Sequence, residues 1–223
     1  MKPYTKYVFE PGKGYIIVFE GVDGSGKTTL AKLLESHLSL VGYDVTYVRN
    51  PGGTKFGEGL RKLLLTNDKI DNIERALLFT AAMYDSIKHI ILPAYKKGHI
   101  VILDRFYHSL YIYQEFYKAY DTENEIKISI FNNLRLILTA KCKSDYLIYC
   151  KPSIDTYKKH LDEREDKDII EDDEWEILKK RYYLYDDIRL IDLDTPIKNI
   201  ITINTDANPR LTFDNVLLPK FIK

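Results

Sequence analysis

A chain of 223 residues, 45% apolar and 30% charged, is long enough to bury one sizeable core, and its composition demands no second domain. Its 33 basic residues balance 33 acidic ones, so no net field recruits nucleic acid or an anionic membrane, and any anion must be caught locally. Two cysteines, Cys142 and Cys150, are too few for a disulfide framework, "MKPYTKYVFEPGKGY" lacks an apolar targeting core, and no run is long enough to span a bilayer; a cytoplasmic protein is expected.

In chain order, the first short apolar run is "YIIVFE" at 15–20, followed by a glycine-rich loop and a helical pattern over 27–41 that Gly42 ends. "DVTYVR" at 44–49 is the second such run. A longer helix is expected over 72–92, ended by Pro93, and "HIVILD" at 99–104 follows it. Two helical stretches fill 105–141 before "DYLIYC" at 145–150. The segment 162–173, "DEREDKDIIEDD", is too charged for core and reads either as a solvated face or as a lid. "IITIN" at 200–204 is the fifth run, and the tail "NPRLTFDNVLLPKFIK" reads as a last helix packed on the sheet. Short buried runs alternating with helices predict an α/β fold: a five-stranded parallel sheet flanked on both faces by helices, one domain over 1–223 with an N-terminal extension of 1–14. Ligands on such sheets bind beyond the carboxyl ends of the strands, where this chain places its glycine loop, "RNPGGT", "DRFYHS", "KPS" and "NTDAN".

Residues 21–28, "GVDGSGKT", fit GxxxxGK(S/T), the P-loop, and sit between a predicted strand and a predicted helix as that motif's mechanism requires. Gly21, Asp23, Gly24, Ser25, Gly26, Lys27, Thr28 and Thr29 are therefore expected around the phosphates of a nucleoside triphosphate, with ATP as donor. Lys27 would reach the terminal phosphates and Thr28 would ligate Mg²⁺. The guanine-reading NKxD sequence of GTPases is absent. "IVILDRF" ends an apolar run in Asp104, a carboxylate suited to holding the metal through water, and Arg105 follows at once. An arginine there suits a second, phosphate-bearing substrate, because guanidinium grips phosphate bidentately. That combination points to a kinase.

"FEGVDGSGKTT", "RNPGGT", "GEGLRKLLL", "ERALLFTAA", "LPAYKKGHIVILDRFYHS" and the "YQ" at 113–114 occur in one order and register. In these motifs the chain resembles the thymidylate kinases, over residues 15 to about 190. The resemblance implies a P-loop NTPase-type three-layer sandwich that transfers the γ-phosphoryl group of ATP to dTMP directly and in line. It also implies a homodimer. On the acceptor side it implies Asp23 at the sugar's 3′-hydroxyl, Arg49 and Arg105 on the acceptor phosphate, Phe79 stacked on the base, and Ser109, Tyr113 and Gln114 lining base and deoxyribose. Gly24 places the chain with those members that supply catalytic arginines from the lid, where Arg164 is the best candidate and Lys158, Lys159 and Lys167 are weaker ones. Thr205 and Asp206 are expected near the adenine.

The departures are specific. Met83 stands where the family has an arginine that donates to the base, and methionine cannot donate. Asn50 replaces an acidic residue, His108 a common aspartate, and Ile169 a usual lid arginine, with His160 near another. These leave open dUMP, or a broader set of deoxynucleoside monophosphates, as acceptor. A deoxynucleoside kinase using Glu20 as base and a nucleotide-binding regulatory protein without transfer activity are the other readings.

Overall fold

The structure, a computed structural model, describes residues 6–121, 124–163, 174–186, 197 and 199–223. Its centre is a five-stranded parallel sheet of β1 (Tyr15–Glu20), β2 (Val45–Arg49), β3 (Ile100–Asp104), β4 (Tyr146–Lys151) and β5 (Asn199–Asn204), in the order β2-β3-β1-β4-β5. All five predicted strands are present, each displaced by at most one residue. β1 is central and buried along its whole length, which is why its sequence is continuously apolar rather than alternating.

Successive β1 side chains enter different cores, as a period of two requires. Ile16 and Val18 join a core with Ala76, Met83, Phe131, Leu138 and Tyr157, while Ile17 and Phe19 join one with Leu30, Leu34, Leu38, Phe213 and Phe221. The first core lies under α3 (Asn72–Ser86), α7 (Glu125–Thr139), α8 (Ile154–Asp162) and α9 (Trp175–Leu184). The second lies under α1 (Lys27–Leu40) and the C-terminal tail. Helices on both faces make the expected three layers.

Three expectations about helices need correction. The helix from Asn72 does not stop at Pro93: it opens into a π-helical turn, Ile87–Ile91, closed by a Leu92 N–H to Ile87 carbonyl bond, and resumes as α4 (Leu92–Lys96). The widened turn puts Pro93 in the first turn of a new helix, where its missing N–H costs nothing. The stretch 105–141 holds three helices rather than two, α5 (Tyr107–Tyr113), α6 (Phe116–Asp121) and α7, because Glu115 adopts a left-handed conformation, φ 58°, that ends α5. The tail is not one helix. α10 (Pro209–Thr212) passes into a π-helical turn and then a 3-10 turn around Pro219, which still bury Phe213, Leu217 and Phe221.

A further helix, α2 (Lys55–Thr66), was not expected from periodicity. Its start is set by Thr54, whose side chain accepts from Gly57 N. The N-terminal extension pairs with the tail: Tyr7 bridges Ile222 antiparallel, and the buried Phe9 ring stacks on Phe221 with centroids 5.3 Å apart. Of the charged segment 162–173, only Asp162 and Glu163 at the end of α8 fall within the described residues. Among the described residues no helix is long and apolar enough to cross a membrane.

Candidate active site

The C-terminal ends of β1, β2 and β3 deliver the chemistry side by side, because Phe19 and Arg49 both stand opposite Asp104 in the parallel register. From the end of β1 the loop Gly21–Gly26 turns back over the strands into α1. At Gly21, φ 144°, a Cβ would lie 2.5 Å from the Cys150 carbonyl oxygen and 2.7 Å from Ser25 Oγ, so only glycine fits. Gly26, φ 80°, caps α1, whose first turn carries the buried Lys27 and the exposed residues Thr28 and Thr29. Lys27 Nζ lies 3.3 Å from Val22 O and 3.6 Å from Asp23 Oδ1. Burial and the neighbouring Arg105 push the Lys27 ammonium below its ordinary pKa, against the pull of Asp23 and Asp104.

Asp104, at 1% exposure, accepts on Oδ2 from Thr28 Oγ1 and, at 3.0 Å, from the Tyr47 hydroxyl. Its Oδ1 is buried with no hydrogen-bond partner among the described residues. An orphaned carboxylate oxygen next to a threonine hydroxyl at a P-loop fits a hard cation such as Mg²⁺, which is commonly held by one or two protein oxygens together with substrate phosphates. No cluster of three acidic, histidine or cysteine side chains occurs among the described residues, and such a site needs none.

On the other side of the loop, Arg105 follows Asp104 with φ 73°, a conformation rare outside glycine. That turn folds its guanidinium back toward the P-loop, where it donates to Gly21 O (3.2 Å), Ser109 Oγ (2.9 Å) and the Asp23 carboxylate. Tyr113 donates to the other Asp23 oxygen at 2.7 Å. Burial alone would raise the Asp23 carboxyl, but Arg105 and Lys27 hold it well below the usual carboxylate range. Asp23, Arg49, Phe79, Met83, Arg105, Ser109, Tyr113 and Gln114, every residue expected on the acceptor side, line one cleft.

The same cleft contains residues that sequence reasoning did not assign to it: Pro51, Leu110, and Arg61 and Leu65 from α2. The only signal for the last two was the motif "GEGLRKLLL". Asn50, read as a mere departure, has a defined part: its Nδ2 donates to Arg105 O at 2.9 Å and its Oδ1 accepts from Ser86 Oγ. A carboxylate could not donate to that carbonyl, so the amide fits the turn at Arg105. Met83 is 1% exposed, and Gln114 Oε1 is buried without a hydrogen-bond partner among the described residues.

Glu20 does not match the part of an accessible base. It is fully buried and accepts from Phe106 N (2.6 Å), Ser109 N (3.3 Å), Ser109 Oγ (2.7 Å) and the Tyr185 hydroxyl (3.1 Å). Its oxygens anchor the start of α5, and His108 stands beside it, fully buried.

A second cavity borders the P-loop at Gly26, walled also by Leu30, His160, Thr205, Asp206 and the start of α10. Asp206 is oriented there by Ser153 N, and His160 Nδ1 donates to Gly24 O at 2.8 Å. Arg164, Lys167 and Ile169 lie outside the described residues. Lys158 packs 5.6 Å over the Trp175 ring and Lys159 faces Glu163 at 3.7 Å.

The sequence model of the thymidylate kinase family matches residues 19–202. The chain belongs to the thymidylate kinase family. The match starts at the end of β1 and stops within β5, leaving out the N-terminal extension and the tail, as the motifs had indicated. A thymidylate kinase from Thermoanaerobacter sp. (strain X514) is 38% identical over 169 residues, 75% of this chain and 80% of the relative. One from Caldanaerobacter subterraneus subsp. tengcongensis is 42% identical over 123 residues, 55% of this chain and 58% of the relative. The crystal structure of thymidylate kinase from Ehrlichia chaffeensis superposes with a TM-score of 0.66 at 25% identity, covering 93% of this chain and 98% of that one. Membership in the thymidylate kinase family makes the chain a nucleoside monophosphate kinase, and the burial of Glu20 leaves the deoxynucleoside-kinase reading without the base assigned to it.

Proposed function

We propose that the chain, as one kinase domain, phosphorylates dTMP to dTDP with ATP as donor, by direct in-line transfer. The observation that carries this reading is that two cavities border the one P-loop, the first lined by Asp23 and Arg105 and the second by Gly26 and Thr205. Two nucleotides bound there would present their phosphates to each other across the P-loop, and positioning plus charge neutralisation is most of what phosphoryl transfer requires.

In this reading Arg49 and Arg105 grip the acceptor phosphate, Phe79 stacks on the base, and Asp23 accepts from the 3′-hydroxyl while Tyr113 holds the carboxylate. Ser109 acts through its neighbours: its hydroxyl accepts from Arg105 and donates to Glu20, which orients the guanidinium. Lys27 reaches the donor's terminal phosphates, and loop backbone N–H groups complete the cradle. Thr28 and Asp104 would hold Mg²⁺. When bound, Mg²⁺ supplies positive charge to the donor phosphates. Arg164 is proposed to bring further positive charge to the transferring group. No side chain must take a proton, because the acceptor phosphate is already anionic.

A homodimer belongs to the same proposal. Leu77 and Tyr84, seven residues apart on α3 and so on one face, are 52% and 41% exposed, which suits a covered surface better than solvent. Cys142 and Cys150 are free and buried, consistent with a reducing compartment such as the cytoplasm.

The test is ADP release with ATP and Mg²⁺ against dTMP, dUMP, dCMP, dGMP and thymidine, with Lys27→Ala as blank. Preferred use of dTMP is expected. Turnover of thymidine alone, or of nothing, would overturn the proposal; equal use of dUMP or dCMP would make Met83 a specificity determinant.

A further inference from the structure

Asp104 is held by more than its own strand. Tyr47 stands opposite Ile102 in the β2–β3 register, two residues before the Arg49–Asp104 pair, so Tyr47 and Asp104 project on the same face of the sheet. The phenol leans along the strand and its hydroxyl donates to Oδ2 of Asp104 at 3.0 Å, the oxygen that Thr28 Oγ1 also uses. Oδ1 is left buried and, among the described residues, without a hydrogen-bond partner. The carboxylate is thereby asymmetric, with two O–H donors on one oxygen and none on the other. An aspartate's terminal torsion is otherwise broad, and two converging donors confine it.

The tyrosine is itself held in place. The Lys32 ammonium sits 3.4 Å from its ring centroid and is paired with Glu35 at 2.8 Å. A cation over the ring face draws electron density from the phenol and favours its role as donor.

We propose that Tyr47 is a positioning residue of the phosphoryl-transfer site: by sharing Oδ2 with Thr28, it holds Asp104 in the orientation that reserves Oδ1 for a divalent cation. The inference rests on the reading of Thr28 and Asp104 as the metal site. It assigns to this edge-strand tyrosine a part in metal affinity, distinct from any contribution to sheet stability.

Tyr47→Phe keeps the ring and the Lys32 contact and removes only the hydroxyl. Mn²⁺ is titrated into the enzyme–ADP complex and free Mn²⁺ is read by electron paramagnetic resonance; ADP binding without metal and the acceptor KM are measured alongside. Losing one hydrogen bond should weaken Mn²⁺ binding about five- to tenfold while metal-free ADP affinity and acceptor KM stay within twofold. Tyr47→Leu, which lacks both ring and hydroxyl, should weaken it at least as much. Unchanged Mn²⁺ affinity in Tyr47→Phe, or an equal weakening of metal-free ADP binding, would overturn the proposal. If the unaltered enzyme bound no Mn²⁺ in the presence of ADP, the metal reading itself would fall and this proposal with it.

Discussion

Arg105 combines a proposed catalytic part with an unfavourable backbone, and two substitutions separate them. Its φ of 73° lies in the left-handed region, which costs a residue with a Cβ about 1–2 kcal/mol. The conformation is imposed from both sides: Arg105 N donates to Phe19 O at 2.9 Å, and Asn50 Nδ2 donates to Arg105 O at 2.9 Å. Both Arg105→Ala and Arg105→Gly remove the guanidinium, and with it the charged contacts to Asp23 and to the acceptor phosphate. At about 1.5–3 kcal/mol for each of two charged hydrogen bonds, kcat/KM for the acceptor should fall about 10²–10⁴-fold, equally in the two variants. Stability should not fall equally. Glycine relieves the strain but gains about 0.5–1 kcal/mol of unfolded-state freedom, so Arg105→Gly should exceed Arg105→Ala by about 1 kcal/mol. For a chain of this length that corresponds to a Tm higher by about 2–4 °C. The assay is a coupled ADP-release measurement with dTMP varied, together with calorimetry on both variants. An alanine variant as stable as the glycine variant, or either one within tenfold of unaltered kcat/KM, would refute the reasoning.

Phe79→Ala should raise the acceptor KM about 5- to 150-fold, the equivalent of about 1–3 kcal/mol of base stacking, with the ATP KM unchanged; parallel rises in both constants would remove Phe79 from the acceptor site. Asp23 is depressed in the folded state, so its contribution to stability is present above the ordinary carboxylate pKa and is lost as pH falls through the lower folded value. Urea denaturation of the unaltered chain and of Asp23→Asn should therefore differ most near neutral pH and converge in acid; a gap that widens on acidification would reverse the assignment. Cys142 and Cys150 are buried, with thiols pushed up to about 12 by burial. Neither should react with a disulfide reagent at pH 8 in the native state, and both should react at once in guanidinium; rapid native labelling would contradict their burial.

Much of this protein is legible in one dimension because the determining interactions are local or periodic. Buried parallel strands need unbroken apolar runs, so all five could be located, and a P-loop needs glycines at positions where a Cβ would strike backbone, as at Gly21. The acceptor-side residues were found through motifs rather than through physics: Phe79 alone reads as core, and it does pack against the core. α2 escaped notice because Gly57 and Gly59 lower helix propensity, while its Thr54 cap and its packing against α3 are enough to form it. Pro93 misled because the π-helical turn that accommodates it depends on i→i+5 bonding, which apolar spacing does not reveal.

The sequence by itself determined the sheet, the phosphate loop and the set of residues gathered at the strand ends, since each depends on residue type and short-range spacing. The tertiary structure alone decided what those residues do to one another. Arg105 meets Asp23 across 82 positions and Thr28 meets Asp104 across 76, only because β1 and β3 lie side by side in a register that sets Phe19 against Asp104. The sealing of Glu20 beneath α5 follows from that same adjacency, and the amide of Asn50 at the Arg105 carbonyl and the phenol of Tyr47 on Asp104 follow from the parallel pairing of β2 with β3. A hydrogen bond is defined by distance and direction, and neither exists until the strands have been ordered.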